Sequence, residues 1–130
     1  MTRRDFIYRS AILGAGASLS PMLVRASGKQ VGANDKIRVG LIGCNGMGFS
    51  NLTSFLRNSE VECIALADID QGVLDRRAAE VEKIQGKKPA GIYKDWRHLI
   101  DNKDVDVVIV GTPDHWHCLQ MVAACEAGKD

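Results

Sequence analysis

The sequence has no concentrated positive charge and few aromatic residues. Among its 130 residues, 17 Lys and Arg are balanced by 16 Asp and Glu, for a net charge of +1, and only 5% are aromatic. The basic residues form no block and do not alternate with aromatic ones. Nucleic-acid binding needs a basic surface, often combined with aromatic side chains that stack on bases. We therefore do not expect nucleic acid to be a partner.

Cysteine is present, but never in a metal-binding pattern. The four cysteines are Cys44, Cys63, Cys118 and Cys125, with no C-x-x-C pair among them. Asp114, His115 and His117 lie close together, but an isolated H-x-H with no second cluster does not supply a full ligand set. We expect no metal site, and we expect the cysteines to be small buried apolar residues. Cys118 and Cys125, seven residues apart, should face the core of the domain.

A long apolar run is also missing. Residues 11–24 consist largely of Ala, Gly, Leu and Ser, and they are too few and too weakly hydrophobic to span a bilayer comfortably. They follow T-R-R-D-F-I at positions 2–7, which resembles a bacterial twin-arginine export signal with Ile7 for the usual Leu and Tyr8 for the usual Lys. A chance pair of arginines before an N-terminal helix and an uncleaved anchor remain the alternatives.

These features predict three segments. Residues 1–26 would be the signal, the polar and glycine-bearing residues 27–35 a linker, and residues 36–130 at most one soluble domain. The signal predicts export to the bacterial periplasm by the twin-arginine machinery, which carries folded proteins.

The domain opens with a strand, a glycine-rich turn and a helix in direct succession. Residues 37–42 are rich in β-branched side chains, as a buried parallel strand should be, and G-C-N-G-M-G follows at positions 43–48. Glycines let the backbone approach a pyrophosphate closely, and the free N–H groups at a helix N-terminus then face its charge. This order is typical of the phosphate-binding opening of a dinucleotide fold. The helix is indicated by apolar residues at helical spacing, namely Phe49, Leu52, Phe55 and Leu56.

The G-x-G-x-x-G fingerprint is imperfect, because Asn45 occupies the place of the second glycine. Asparagine tolerates left-handed backbone conformations and Gly46 follows it, so we expect the turn to form. A strand–helix turn without a ligand is the alternative. The residues that we predict to hold the cofactor phosphates are Gly43, Asn45, Gly46, Met47 and Gly48.

A carboxylate follows the second strand at the spacing that a dinucleotide fold requires. The strand is predicted at residues 61–67, and Asp68 lies at its carboxyl end, 20 residues beyond Gly48. In that position a carboxylate accepts hydrogen bonds from the adenosine ribose and repels a 2′-phosphate, which favours NAD over NADP. Asp70 competes for this role but could start the next helix, and an Asp at a strand end is often only a helix cap.

The middle of the chain predicts ordinary supporting elements. A helix over residues 73–84 should end at Gly86, with Arg76 and Arg77 on its solvated face. A short strand at residues 91–93 follows, and Asp95 could cap a helix that buries Trp96, Leu99 and Ile100.

The last strand is predicted at residues 105–110, next to the first strand and on the side away from the second. In open α/β sheets, ligands bind outside the carboxyl ends of strands where the strand order reverses. The loop after this strand should therefore lie beside the Gly43 turn, over the nicotinamide half of a cofactor, and its predicted contacts are Thr112, Pro113, His115 and His117. The helix after it, which carries Leu119, Val122, Ala123 and Cys125, should end at Gly128.

Together these stretches resemble the glucose–fructose oxidoreductase, inositol dehydrogenase and rhizopine-catabolism (Gfo/Idh/MocA) family of NAD(P)-dependent oxidoreductases. The resemblance rests on residues 34–43, 67–70, 93–96, 106–117 and 127–130. The family's T-P-N-x-x-H motif falls on Thr112, Pro113, Asp114 and His117, with Asp114 in place of the usual Asn.

The resemblance implies an α/β Rossmann-type doubly wound parallel sheet that holds NAD. A separate C-terminal domain would bind a sugar or cyclitol, which is oxidised or reduced at a carbinol carbon by hydride transfer, and the parent enzyme would be a homo-oligomer. The family's catalytic lysine, in a Glu-Lys-Pro segment that follows the A-G-K-D stretch, is expected beyond Asp130, so no catalytic residue is assigned within this chain. We expect the 130 residues alone to bind NAD weakly if at all and to have no turnover.

Two other functions remain open. One is an NAD-dependent glycosidase on the same scaffold, although such relatives usually replace the Thr-Pro-x-x-x-His loop that this chain keeps. The other is a non-catalytic nucleotide-binding or sensing module.

Overall fold

The computed structural model describes residues 36–130, whereas the predicted signal and linker lie outside the described residues. Strands and helices alternate along this part of the chain. The elements in order are β1 (Ile37–Ile42), α1 (Gly46–Phe55), β2 (Val61–Ala67), α2 (Gln71–Gln85), β3 (Gly91–Tyr93), α3 (Trp96–Asp101), β4 (Val107–Val110) and α4 (Asp114–Glu126).

The four strands form one parallel sheet in the order β3-β2-β1-β4. The strand β1 pairs with β2 on one side, with Ile42 opposite Ala67, and with β4 on the other, with Ile42 opposite Val110. The chain thus crosses from one side of β1 to the other between β3 and β4. This is the predicted strand order, and the reversal lies between β1 and β4, where a doubly wound fold binds its ligand.

Helices cover both faces of the sheet, which confirms the Rossmann-type fold class. On one face, the helices α1 and α2 pack on the sheet through Leu52, Leu74 and Val81. On the other face, α3 and α4 pack through Leu99 and Ala124. Because both faces are covered, the strands consist of nearly continuous apolar residues. No helix within residues 36–130 combines the length and apolar character that crossing a bilayer requires.

The helix ends follow from local hydrogen bonding, largely as predicted. The Asp70 carboxylate accepts hydrogen bonds from the backbone N–H groups of Gly72 (2.8 Å) and Val73 (3.2 Å), and so caps α2. Gly86 ends α2 in the left-handed conformation, with φ of 76°. Asp95 caps α3 through the N–H of Arg97. Some bounds differ, since α1 ends at Phe55 rather than near residue 58, α2 spans residues 71–85 rather than 73–84, and β4 begins at residue 107 rather than 105.

The prediction that Cys118 and Cys125 of α4 face the sheet was wrong. Leu119 and Val122 are each 50% exposed, and Cys118 and Cys125 are exposed as well. The residues of α4 that are buried are instead Gln120 and Ala124. The physical reason is that β4 is the outermost strand of the described sheet on this side. Only a narrow stripe of the α4 surface therefore packs against the sheet. Cys44 and Cys63 are buried, as expected.

Candidate dinucleotide site

The Gly43 turn and the loop after β4 touch each other through their backbones. The Gly111 N–H donates to the Ile42 carbonyl (2.7 Å), and the Gly43 N–H donates to the Ala67 carbonyl (2.9 Å). A Cβ atom on Gly43, whose φ is +82°, would lie 2.6 Å from the Gly111 carbonyl carbon. A Cβ on Gly48 would overlap the Gly43 carbonyl oxygen, and one on Gly111 would overlap the Gly48 Cα. These three glycines are therefore required for close backbone packing.

The turn forms, but Asn45 does not use the left-handed backbone conformation that asparagine tolerates. Asn45 is extended, with φ of −107° and ψ of 170°, and no non-glycine residue within 36–130 has a positive φ. The left-handed position is taken by Gly46 (φ +48°), because glycine adopts it without steric cost. The Asn45 side chain does not cap α1. The first N–H groups of α1 are thus left without a side-chain acceptor and face the space where an anion can bind.

Asp68 is held at the mouth of this turn. Its Oδ2 accepts a hydrogen bond from the Cys44 N–H (2.8 Å), and its Oδ1 accepts one from the Asp70 N–H (3.0 Å). Because Asp70 supplies the cap of α2, Asp68 is not needed there. Burial first, and then the Asp68 charge, raise the pKa of the Cys44 thiol to about 12, so this cysteine stays protonated and unreactive.

The loop after β4 is tied to the helix that follows it. The Thr112 hydroxyl donates to the Gln120 Oε1 (2.6 Å), and the His117 Nε2 contacts the Thr112 carbonyl oxygen. His117 is therefore turned back onto its own loop. His115 is exposed, with its ring centroid 5.7 Å from that of Trp116.

A cleft of about 570 Å³ lies at the carboxyl edge of the sheet, and all four strands lead into it. Its volume is in the range of small-molecule sites. Among the predicted cofactor residues, Gly43, Asn45, Asp68, Thr112 and Pro113 line the cleft. Gly46, Met47 and Gly48 lie in the first turn of α1, and His115 and His117 in the first turn of α4, and none of them is among the lining residues.

The second wall of the cleft was missed by sequence reasoning. It comes from the turn between β3 and α3, where Lys94, Asp95, Trp96 and Arg97 line the cavity. The Arg97 guanidinium carbon lies 4.7 Å from the centroid of the Trp96 ring, and Arg97 forms an ion pair with Asp95 (3.1 Å). Trp116 lies among the lining residues of α4, so both tryptophans of the chain line the cleft.

Arg77 is a second residue that sequence reasoning missed. It was expected on the solvated face of α2, but its side chain is only 18% exposed. Its Nε donates to the Cys44 carbonyl (3.2 Å), and its Nη2 donates to the Asn45 Oδ1 (3.3 Å). Its guanidinium also lies over the Phe49 ring, 4.0 Å from the centroid. Arg77 therefore holds the glycine turn from outside, and no motif in the sequence indicates this contact.

These residues fit a dinucleotide. The glycines of the turn leave no room for a Cβ atom, so the backbone can approach a ligand closely. The uncapped N-terminus of α1 faces this turn, and the Asp68 carboxylate lies at the end of β2. Within residues 36–130, no three His, Cys, Asp or Glu side chains come together in a way that could hold a metal ion.

Comparisons with known proteins agree with this geometry. The family model for the Gfo/Idh/MocA oxidoreductase family, described as having an NAD-binding Rossmann fold, matches residues 37–130. A glycosyl hydrolase family 109 protein of Shewanella baltica (strain OS155) is 38% identical over 98 residues, which are 73% of this chain and 21% of that protein. The alpha-N-acetylgalactosaminidase of Shewanella oneidensis is 29% identical over 145 residues, covering 98% of this chain and 32% of that protein.

Solved structures give the same fold. An NAD binding oxidoreductase from Klebsiella pneumoniae matches with a TM-score of 0.62 and 32% identity, over 72% of this chain and 26% of that one. A myo-inositol dehydrogenase from Lactobacillus casei in complex with NAD(H) and myo-inositol matches with a TM-score of 0.64 and 23% identity, over 72% and 26% of the two chains. The chain spans about a fifth to a third of the length of these relatives. It belongs to the Gfo/Idh/MocA oxidoreductase family, whose Rossmann domain binds NAD.

Proposed function

We propose that residues 36–130 form the cofactor-binding domain of an NAD-dependent oxidoreductase. The parent enzyme would transfer hydride between the nicotinamide ring and a carbinol carbon of a sugar or cyclitol. One observation supports this proposal most strongly. The Gly43 turn and the Thr112 loop meet at the point where the strand order reverses, with backbone packing that only glycine allows.

The role of each part follows from its chemistry. The uncapped N-terminus of α1 faces the pyrophosphate with free N–H groups. Asp68 accepts hydrogen bonds from the adenosine ribose, and its charge disfavours the 2′-phosphate of NADP. The loop with Thr112, Pro113, His115 and His117 borders the nicotinamide half. NAD itself supplies the hydride chemistry, while these residues bind and orient it.

Tryptophan fluorescence tests this proposal directly. Trp96 and Trp116 both line the cleft, so bound NADH should quench their emission and take up the excitation energy. We expect at most weak binding of NADH by the 130-residue chain, whereas the parent protein should bind NADH saturably and NADPH more weakly. The proposal would be contradicted if NADH produced no saturable change in the parent protein, or if NADPH bound more tightly than NADH.

An NAD-dependent glycosidase is the second candidate, because curated relatives at 38% identity are named as glycosyl hydrolase family 109 proteins. In such a reaction, transient oxidation and re-reduction cleave a glycosidic bond with no net change in NAD. The parent protein would separate the two functions. Accumulation of NADH with a free sugar or cyclitol supports the dehydrogenase, whereas release of an aryl N-acetylgalactosaminide leaving group without net NADH supports the glycosidase.

We also propose that residues 1–26 direct export to the periplasm by the twin-arginine machinery. The supporting feature is T-R-R-D-F-I at positions 2–7. Replacing Arg3 and Arg4 with lysines should keep the charge but abolish export, measured by fractionating cells that produce the full chain. Unchanged periplasmic accumulation of the double-lysine variant would contradict the proposal.

A further inference from the structure

Gln120 is a buried polar residue in an unexpected place. It lies on the second turn of α4, where only a narrow stripe of the helix is covered, and it is 2% exposed. Burying an amide is unfavourable unless its polar atoms have partners. Its Oε1 has one, because it accepts the hydrogen bond from the Thr112 hydroxyl at 2.6 Å. This contact fixes the orientation of the side chain.

The other end of the same amide is unpaired within the described residues. No hydrogen bond of the Gln120 Nε2 to any of residues 36–130 is formed, although Gln120 lines the cleft. Every fully buried side-chain nitrogen or oxygen in this part of the chain has a partner. The Nε2 therefore keeps access to the cleft, and its two N–H donors are available to a bound molecule.

The position of Gln120 assigns it to one half of the dinucleotide. Asp68 lies at the end of β2, on one side of the Gly43 turn, and receives the adenosine ribose. Gln120 lies beyond the end of β4, on the other side of that turn. We propose that Gln120 binds the nicotinamide half of NAD through its Nε2 donors and holds the Thr112 loop through its Oε1. This inference rests on the proposed function.

Two ligands separate this role from a general effect on the cleft. ADP-ribose has the adenosine, pyrophosphate and second ribose of NADH but lacks the nicotinamide ring. The affinity of each should be measured for the parent protein by ligand-detected NMR, which tolerates weak binding. Gln120→Met removes both polar ends at nearly constant volume. We expect it to weaken NADH binding about 10-fold, the usual effect of one lost hydrogen bond, and ADP-ribose binding less than about 3-fold.

Further variants keep the result interpretable if Gln120→Met lowers stability. Thr112→Val removes only the hydroxyl that orients Gln120 and should weaken NADH selectively, whereas Thr112→Ser should restore wild-type affinity. Met121→Gln, on the exposed side of the same turn of α4, is the matched control and should change neither affinity.

Selective loss of NADH binding in Gln120→Met and Thr112→Val supports the inference. Equal loss of NADH and ADP-ribose binding, or no loss in either variant, overturns it while leaving the dinucleotide site intact. Failure of the wild-type parent protein to bind either ligand removes the proposed function, and this inference with it.

Discussion

At the scale of single residues, the site depends on side chains that position the backbone. Asp68 and Arg77 approach the glycine turn from different elements and bind consecutive backbone groups, the N–H and the carbonyl of Cys44. The place of Asp68 at the end of β2 was predictable from the apolar strand that precedes it, whereas its contact with the ribose stays a prediction. Arg77 was not, because on α2 it looks like any other charged residue at a partly exposed position.

The first prediction concerns Arg77. Arg77→Met should lower the free energy of unfolding by about 1 kcal/mol, since the hydrogen bonds to Cys44 and Asn45, the ion pair with Glu80 and the contact with Phe49 are lost. It should also weaken NADH binding, because the turn loses its outer support. Arg76→Met, at the exposed neighbouring position, should stay within about 0.5 kcal/mol of wild type. Urea denaturation measures the free energy of unfolding, and the fluorescence titration measures NADH affinity. If Arg77→Met and Arg76→Met gave the same values, Arg77 would not support the glycine turn.

The second prediction concerns cofactor choice. Asp68→Asn retains an acceptor for the Cys44 N–H but removes the negative charge. We expect it to reduce the preference for NADH over NADPH by roughly 5- to 10-fold. The reason is that two negative charges about 4 Å apart in water, such as the Asp68 carboxylate and a 2′-phosphate, repel each other by about 1 kcal/mol. Asp70→Asn is the matched control, since Asp70 caps α2 and should affect stability without changing the preference. If the preference changed in Asp70→Asn but not in Asp68→Asn, the ribose would contact Asp70 rather than Asp68, which would contradict this prediction.

At the scale of elements, strands and caps could be predicted, whereas the orientation of a helix at the sheet edge could not. The strand β2 has its predicted bounds because a continuous apolar run must be buried on both faces. The face that α4 turns to the sheet was missed, because two cysteines seven residues apart suggested a buried stripe. Since β4 is the edge strand of the described sheet, only the stripe with Gln120 and Ala124 is buried.

The third prediction tests the orientation of α4 by thiol chemistry. Cys118 and Cys125 are exposed, whereas burial raises the pKa of the Cys44 and Cys63 thiols to about 12. A disulfide reagent that attacks thiolates should therefore modify two cysteines rapidly in the native protein and all four after denaturation. Peptide mapping should find the fast label at Cys118 and Cys125. If Cys118 and Cys125 did not react with the reagent in the native protein, they would face the sheet, as the sequence analysis predicts, and this orientation of α4 would be contradicted.

The fourth prediction concerns the glycine contacts between two elements. Gly111→Ala places a methyl group against the Gly48 Cα and should displace the turn, so that NADH binding is lost. Gly86→Ala serves as the control. Ala at Gly86 is strained by the left-handed backbone (φ +76°), a strain that Gly111 does not share, but its new methyl group meets no atom within 4 Å. We expect the control to lose stability by about 1 kcal/mol while keeping its NADH affinity.

At the scale of the whole molecule, the strand order could be predicted because the Gly43 turn marks the first strand as the one where a dinucleotide fold reverses its strand order. The last strand was therefore placed beside β1, on the side away from β2, where the structure has it. The second wall of the cleft could not be predicted, because the turn at Lys94–Arg97 has no glycine or carboxylate signature that places it over the sheet edge. Its contribution arises only when β3 pairs with β2 and brings Trp96 to the carboxyl edge.

The most direct test of the account is a titration of the isotope-labelled 130-residue chain with NADH, followed through its backbone amide NMR signals. In the proposed complex, the Gly43 turn and the Thr112 loop both contact one dinucleotide. We therefore expect the backbone amide signals of residues 43–48 and 111–117 to shift together, with a smaller shift at Asp68, and all shifts to fit one binding curve. Shifts confined to only one of the two loops, or centred away from both, would contradict it.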